Sequence, residues 1–302
     1  MDEAPWLSDH AEAAARIERH LPDDGAELTP IGEGDDSFAF RLGTDVVRVA
    51  KHRGAADSLR LEACVMARIA PRLPFPVPRT AFSEPAHQCA FSVHAEVTGA
   101  DLTREAWEAL PPAAREAAAA DVARFLDALH ALGVAEAGAC GVPRIDAAVF
   151  AGHLLAASAP LHPRLAPETR RRLDAVLTRE SLSSGADRPP ALLHRDFGPG
   201  HVLFDPPTGR VTGVIDFGDL ALGDPARDFI YVYEDYGSEM LDAVLRHYTG
   251  EDAATLRPRI HLWFLLEAVE WMLDPMEAGR RTEAETEEGL AIVAHELDAL
   301  GD

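Results

Sequence analysis

The feature that most constrains this chain is a pair of short stretches in fixed order, His194-Arg-Asp-Phe-Gly-Pro-Gly-His201 and then Ile215-Asp-Phe-Gly218. Between them, His201-Val-Leu-Phe204 and Val211-Thr-Gly-Val-Ile215 are apolar runs divided by the turn residues Pro206-Pro-Thr-Gly209. That pattern predicts a β-hairpin with polar residues at its ends, so that Asp216 is fixed a short hairpin away from Asp196. A single Asp in a turn is ordinarily a turn former. Two of them, each in a recurring motif and in this order, point to shared chemistry.

The chemistry that needs such a pair is phosphoryl transfer. Kinase catalytic loops carry His-Arg-Asp, a metal-binding residue five positions after the Asp, and a later Asp-Phe-Gly whose Asp also holds metal. One carboxylate orients an attacking hydroxyl, and the second holds Mg²⁺ against the phosphates. Asp196 fits the first role and Asp216 the second. Position 201 is His where Asn is the general metal ligand, a departure because Mg²⁺ prefers oxygen.

Upstream, Glu27-Leu-Thr-Pro-Ile31, Ser37-Phe-Ala-Phe-Arg-Leu42 and Asp45-Val-Val-Arg-Val-Ala-Lys51 read as strands of a small antiparallel sheet, after a short helix over 5–20. Residues 58–70 switch to helical period, with Val65, Met66 and Ile69 on one face and Glu62 beside them. A carboxylate on a buried face needs a neutralising partner. Lys51, the only lysine in the chain, ends the third strand and is the expected partner; a lysine suits phosphate as a compact point charge. The loop Gly32-Glu-Gly-Asp-Asp-Ser-Phe38 lies between two expected strands, and its glycines Gly32 and Gly34, with Ser37, let backbone approach phosphate oxygens. Pro71, Pro74, Pro76 and Pro78 end the helix and lead into extended segments near 79–83 and 88–97. From about Thr103 the pattern is mostly helical, Val122, Phe125, Leu126 and Leu129 following i, i+3, i+4, i+7 spacing. The expectation is an N-terminal nucleotide-binding lobe over 1–98 and a C-terminal catalytic and substrate-binding lobe over 99–302.

Charge and cysteine content narrow the partners. With 51 acidic against 28 basic residues the net charge is −23, which disfavours a nucleic-acid backbone or an anionic membrane and favours a cationic ligand. No run of 18 apolar residues suggests a bilayer span, and the acidic N-terminus lacks the features of a secretory signal. Cys64, Cys89 and Cys140 are an odd, widely spaced set, read here as neither a disulfide framework nor a thiolate metal site. A reducing cytoplasm and a monomer are the matching expectations.

Taken together, Gly32–Phe38, Leu73-Pro-Phe-Pro-Val-Pro78, His194–Asp205 and Thr212–Phe229 resemble the aminoglycoside phosphotransferase family, particularly the 2″-phosphotransferases. The resemblance implies an α+β, two-lobed protein-kinase-like fold, a small antiparallel-sheet lobe followed by a larger, mainly helical one. It implies transfer of the γ-phosphoryl of ATP or GTP, with Mg²⁺, to an aminoglycoside hydroxyl. Asp196 would be the catalytic Asp, Asp216 and His201 the metal ligands, Lys51 and Glu62 the phosphate-binding pair, and the backbone around Ala95 to Val97 the purine-reading hinge. Asp219 and Asp224 match family positions assigned to support. Glu234 and Asp235 fall where related enzymes hold the amino groups of the drug. Further on, Glu267, Glu270 and Trp271 share a helix face with Trp263, a pairing of carboxylates and indoles suited to a polyamine sugar. Competing readings are a macrolide or metabolite hydroxyl kinase, whose family shares the His at 201, and a catalytically silent nucleotide-binding pseudokinase.

Overall fold

Alternating apolar residues in the first strands give a sheet with two unlike faces. The computed structural model describes residues 6–21, 26–132, 134–178, 189–274 and 280–301, so residue 5 of the expected first helix lies outside the described residues. Strands β1 (Leu28–Glu33), β2 (Ser37–Leu42), β3 (Asp45–Ala50), β4 (Ala81–Ala86) and β5 (Cys89–Ala95) form an antiparallel sheet of order β1-β2-β3-β5-β4. On one face Phe38, Phe40, Val47, Val49 and Phe91 bury themselves with Trp6 and with Ala13 and Ile17 of α1 (His10–Ile17). The period of two sends Val46 and Arg48 to the other face, opposite His94 and Ser92 of β5. Helix α2 (Arg53–Ile69) follows. It begins earlier than residue 58 because the His52 ring accepts from the Ala55 N–H and caps it.

Helix α2 serves two cores. Its first half contributes Ala55, Ala56 and Leu59 to the sheet's core, and its second half contributes Val65, Met66 and Ile69 to a separate, larger core. The larger core is built by α3 (Arg104–Ala109), α4 (Pro112–His130), α5 (Val134–Ala139), α6 (Ala147–Ala157), α7 (Pro167–Thr178), α8 (Ile230–Tyr236), α9 (Ser238–His247), α10 (Ala253–Leu273) and α11 (Glu283–Leu300). Five short strands lie among them: β6 (Ala100–Asp101), β7 (Ala191–Leu193), β8 (Val202–Asp205), β9 (Arg210–Val214) and β10 (Ala221–Gly223). The expected hairpin is β8–β9, in register Val202 to Val214. The architecture is the α+β arrangement of a small antiparallel sheet followed by a mainly helical lobe. Among the described residues no helix is long and apolar enough to cross a membrane.

Two attachments join the lobes beside the hydrophobic contact. Residues 96–99 cross between them, and Gly213 on β9 is the seat for that crossing: a Cβ there would lie 2.2 Å from Val97 Cγ1. The second attachment corrects the cysteine reading. Cys64 on α2 and Cys140, just past α5, form a disulfide with a Cα–Cα distance of 5.8 Å, leaving Cys89 free and buried. A sequence separation of 76 residues carries no local spacing signal, which is why the pair was not legible. Arg72 and Glu136 add an ion pair at 3.1 Å along the same seam.

Candidate active site

The loop that carries Asp196 is held by one buried carboxylate. Asp228, fully buried, accepts the backbone N–H groups of His194 (2.9 Å) and Arg195 (2.8 Å), and its Oδ2 meets His130 Nε2 at 3.0 Å. Burial pushes this carboxyl up, but the hydrogen bonds from His130 and the amide outweigh it and hold it below the usual range. His130 passes the network on to the Tyr248 hydroxyl at 2.9 Å. His194 is also fully buried, and burial keeps its ring below the usual pKa, so it sits neutral. Its Nε2–H donates to the Ile215 carbonyl (3.0 Å), while Nδ1 accepts from the Asp196 N–H (3.3 Å), linking the two motifs directly. Arg195 and Asp216 have φ of 71° and 62°, unfavourable for non-glycine residues. Such backbone persists only where the surroundings over-determine it, as the Asp228 bond does for Arg195.

Between the lobes lies a cavity of about 680 Å³. Its lining includes Gly32, Gly34 and Ser37 of the glycine loop, Arg48, Val97 of the hinge, and Asp196, Asp216 and Asp219. Of the expected hinge residues, Val97 lines this space together with His94 and Glu96, whereas exposed Ala95 is not among the lining residues. Asp219, expected as support, lies in the cavity wall, its carboxyl raised by burial against the pull of Arg195.

The expected pair of Lys51 with Glu62 is not formed. Glu62, 1% exposed, meets Arg48 Nη1 at 3.1 Å and the Thr80 hydroxyl at 2.9 Å, and Arg48 Nη2 reaches Asp216 Oδ1 at 3.2 Å. Burial pushes the Glu62 carboxyl up against the pull of Arg48, while Asp216 and Glu62 together keep the Arg48 guanidinium firmly charged despite burial. The reason is strand parity: residues 46 and 48 face the cavity, and position 51 falls out of that series. Lys51 Nζ instead donates to Glu33 Oε1 and to the Gly34 carbonyl, both at 2.7 Å. The alternation in Val46-Val-Arg-Val-Ala50 was the sequence signal that could have found Arg48.

At the base of the cavity, His201 Nδ1 lies 2.8 Å from the Asp196 carbonyl and 3.3 Å from its Oδ2. The carbonyl accepts, so Nδ1 carries the proton and Nε2 is the nitrogen turned to Asp216 Oδ2, 3.9 Å away. The Asp196 hydrogen bond is the chief reason the ring is pushed up to about 9 and the Asp196 carboxyl is held below its usual range. Among the described residues no group of three or more His, Cys, Asp or Glu could enclose a metal ion. Mg²⁺ ordinarily takes one or two protein ligands and completes its shell with phosphate oxygens and water. His201 Nε2 and Asp216 are the groups that would hold it, and a bound cation would displace the ring's second proton.

The other side of Asp196 is acidic. Gly198 allows close approach: a Cβ there would stand 2.9 Å from Asp235 Oδ2. Asp235 is raised by burial and by Asp196, and Glu234 is pushed up to about 7 by burial, Asp235 and Glu267. Neither has an ion-pair partner among the described residues. A pocket of about 450 Å³ opens here, with Tyr231, Glu234, Phe264, Glu267, Trp271 and Glu288 in its wall. Glu288 on α11 was missed, because nothing in sequence ties that helix to α8. Two expectations for α10 need correction. Trp263 is 1% exposed, packed on Phe150 and the Arg227 guanidinium, because both sides of this helix are covered. Glu267 is already engaged by Arg227 at 2.5 Å, so it is a paired carboxylate rather than a free one. Glu270 and Trp271 are exposed and border a second recess with Phe150 and His153.

Known proteins share the sequence family and the fold. The phosphotransferase enzyme family, APH, matches residues 27–263. Viomycin phosphotransferase of Streptomyces vinaceus is 27% identical over 236 residues, 76% of this chain and 80% of that protein. The solved GDP complex of aminoglycoside 2'-phosphotransferase-IIIa superposes with a TM-score of 0.83 at 24% identity, covering 97% of this chain and 99% of that one. The GDP and kanamycin complex of APH(2")-IIia gives 0.78 at 25% identity, covering 96% and 99%. Macrolide 2'-phosphotransferase MphH from Brachybacterium faecium gives 0.68 at 21% identity, covering 92% and 95%. With the family match spanning most of the chain and a kinase-like cleft to go with it, this protein belongs to the APH phosphotransferase enzyme family and is a phosphotransferase acting on an alcohol group.

Proposed function

We propose that the enzyme transfers the γ-phosphoryl group of ATP or GTP to a hydroxyl of an aminoglycoside antibiotic, the 2″-hydroxyl, and so confers resistance to it. The carrying observation is that Asp196 stands between two environments: a cavity where Arg48 is set among carboxylates beside Asp216, and a wall where Glu234 and Asp235 have no cation among the described residues. A triphosphate brought with Mg²⁺ suits the first, where Arg48 and the metal-holding carboxylate lie side by side, and an amine-bearing sugar suits the second. In this reading the nucleotide lies in the interlobe cavity with its purine near Val97, and the lobes divide between residues 98 and 99. Asp196 accepts the acceptor hydroxyl's hydrogen bond and aims its oxygen in line with the phosphorus. Arg48, held by Glu62, offsets charge on the phosphate oxygens. Mg²⁺, bound through Asp216 and His201, would supply further charge neutralisation. Catalysis is positioning and electrostatics.

The test is mass spectrometry of a mixture of aminoglycosides incubated with enzyme, Mg²⁺ and either nucleotide. A gain of one phosphate on one of them is expected; none gained on any compound with either nucleotide overturns the reading. A second acceptor class has its own support, since Phe264, Trp271 and Ile292 give the 450 Å³ pocket an apolar wall. Macrolides in the same assay separate the two.

A further inference from the structure

With Arg48 as the partner of Glu62, the only lysine in the chain is left without its expected task. Its surroundings define another. Lys51 Nζ donates to Glu33 Oε1 and the Gly34 carbonyl at 2.7 Å each and stands 4.3 Å from the centre of the Phe38 ring. Its backbone N–H donates to the Asp36 carbonyl at 2.9 Å, and its own carbonyl accepts from Trp6 at 2.6 Å. One residue therefore grips the glycine loop where it leaves β1 and again just before β2. Glu33, Gly34, Asp35, Asp36 and Ser37 all line the nucleotide cavity, while Lys51 does not.

The grip on Gly34 sets a direction. The chain contains no cis peptide bond among the described residues, and in a planar trans peptide the C=O and the following N–H point opposite ways. A Gly34 carbonyl turned back to the ammonium therefore turns the Asp35 N–H away from it. That N–H has no hydrogen-bond partner among the described residues. Resting on the phosphotransfer reading, we infer that Lys51 is a positioning residue: it orients the Gly34–Asp35 peptide so that the Asp35 N–H meets a nucleotide phosphate. A lysine suits this task, because three rotating donors on a compact ammonium reach a carboxylate and a carbonyl while resting on a ring face. The planar fork of arginine does not match that set.

Calorimetric titration of the full chain tests the inference, with Mg·ATP and Mg·GTP as phosphate-bearing probes and adenosine and guanosine as probes that lack phosphate. Lys51→Met should weaken the triphosphates about tenfold, the scale of one charge-assisted contact, and leave the nucleosides unchanged. A merely structural role would weaken both kinds of probe together, and that result overturns the inference, as does unchanged triphosphate affinity. Should the Met variant not fold, Lys51→Arg carries the same comparison with a loss of about threefold expected, and an unaltered ratio of triphosphate to nucleoside affinity overturns it. Wild-type protein that binds neither triphosphate would overturn the phosphotransfer reading itself; normal wild-type binding with an unaffected variant removes only the role of Lys51.

Discussion

The nucleotide cavity and the acidic wall beyond Asp196 treat charge in opposite ways. In the cavity several carboxylates already have cations: Asp216 shares Arg48 with buried Glu62, Asp196 has His201, and Glu33 has Lys51. On the wall, Glu234 and Asp235 have no cation among the described residues; burial raises both, with Asp235 and Glu267 adding to the rise of Glu234 and Asp196 to that of Asp235. The first region is organised before any ligand arrives. The second holds carboxylates with no cation of their own among the described residues, the place the proposed reading gives to a cationic acceptor. The difference teaches that the two halves of the site should respond differently to the same kind of substitution.

Asp196→Ala should have the largest effect, lowering phosphoryl transfer by about a thousandfold or more while nucleotide titration stays near wild type. Near-normal turnover would mean the two regions do not meet at Asp196. Next is Arg48→Met, which strands Glu62 in a buried site. A loss of about 3 to 5 kcal/mol in denaturant unfolding is expected, together with weakened triphosphate binding. Unchanged stability would show that the cavity's charges are not interdependent. The wall should behave in reverse. Glu234→Gln removes repulsion, so it should raise the melting temperature while raising KM for a cationic aminoglycoside several-fold, about 1 kcal/mol of lost attraction.

The sign of the pH dependence follows from the raised carboxyl. Glu234 in the folded chain titrates at about 7 against an ordinary 4.5, so the folded protein prefers its neutral form and loses stability as pH rises through about 7. The gain from Glu234→Gln should therefore be present above that pH and vanish below the ordinary value. Acceptor affinity runs the other way, weakening as pH falls through about 7 and the wall loses charge. A KM for a cationic acceptor that is flat across this range would break the comparison. This is the smallest of the expected effects and the most specific.

What could be read from sequence was whatever chemistry forces into a short stretch. The residues from His194 to Gly218 carry both aspartates, the histidine and the hairpin between them, so the base of the site was legible without coordinates. Arg48 was not, because a lone lysine three residues on drew attention away from the alternation that faces position 48 inward. Asp228 and His130 lie far apart in sequence, and only folding brings a loop anchor and its support together. A helical pattern puts Trp263 on the face of Glu267, Glu270 and Trp271 but does not say which neighbours cover it; Phe150 and Arg227 come from other elements.

The covalent bond from Cys64 to Cys140 closes a ring of chain that contains the crossing at 96–99. The bond thus adds a covalent fastening to the packing of α2 against both cores, on the same helix that carries Glu62. A thiol reductant would cut that fastening, so the choice of buffer additive decides whether the assayed molecule carries this covalent tie.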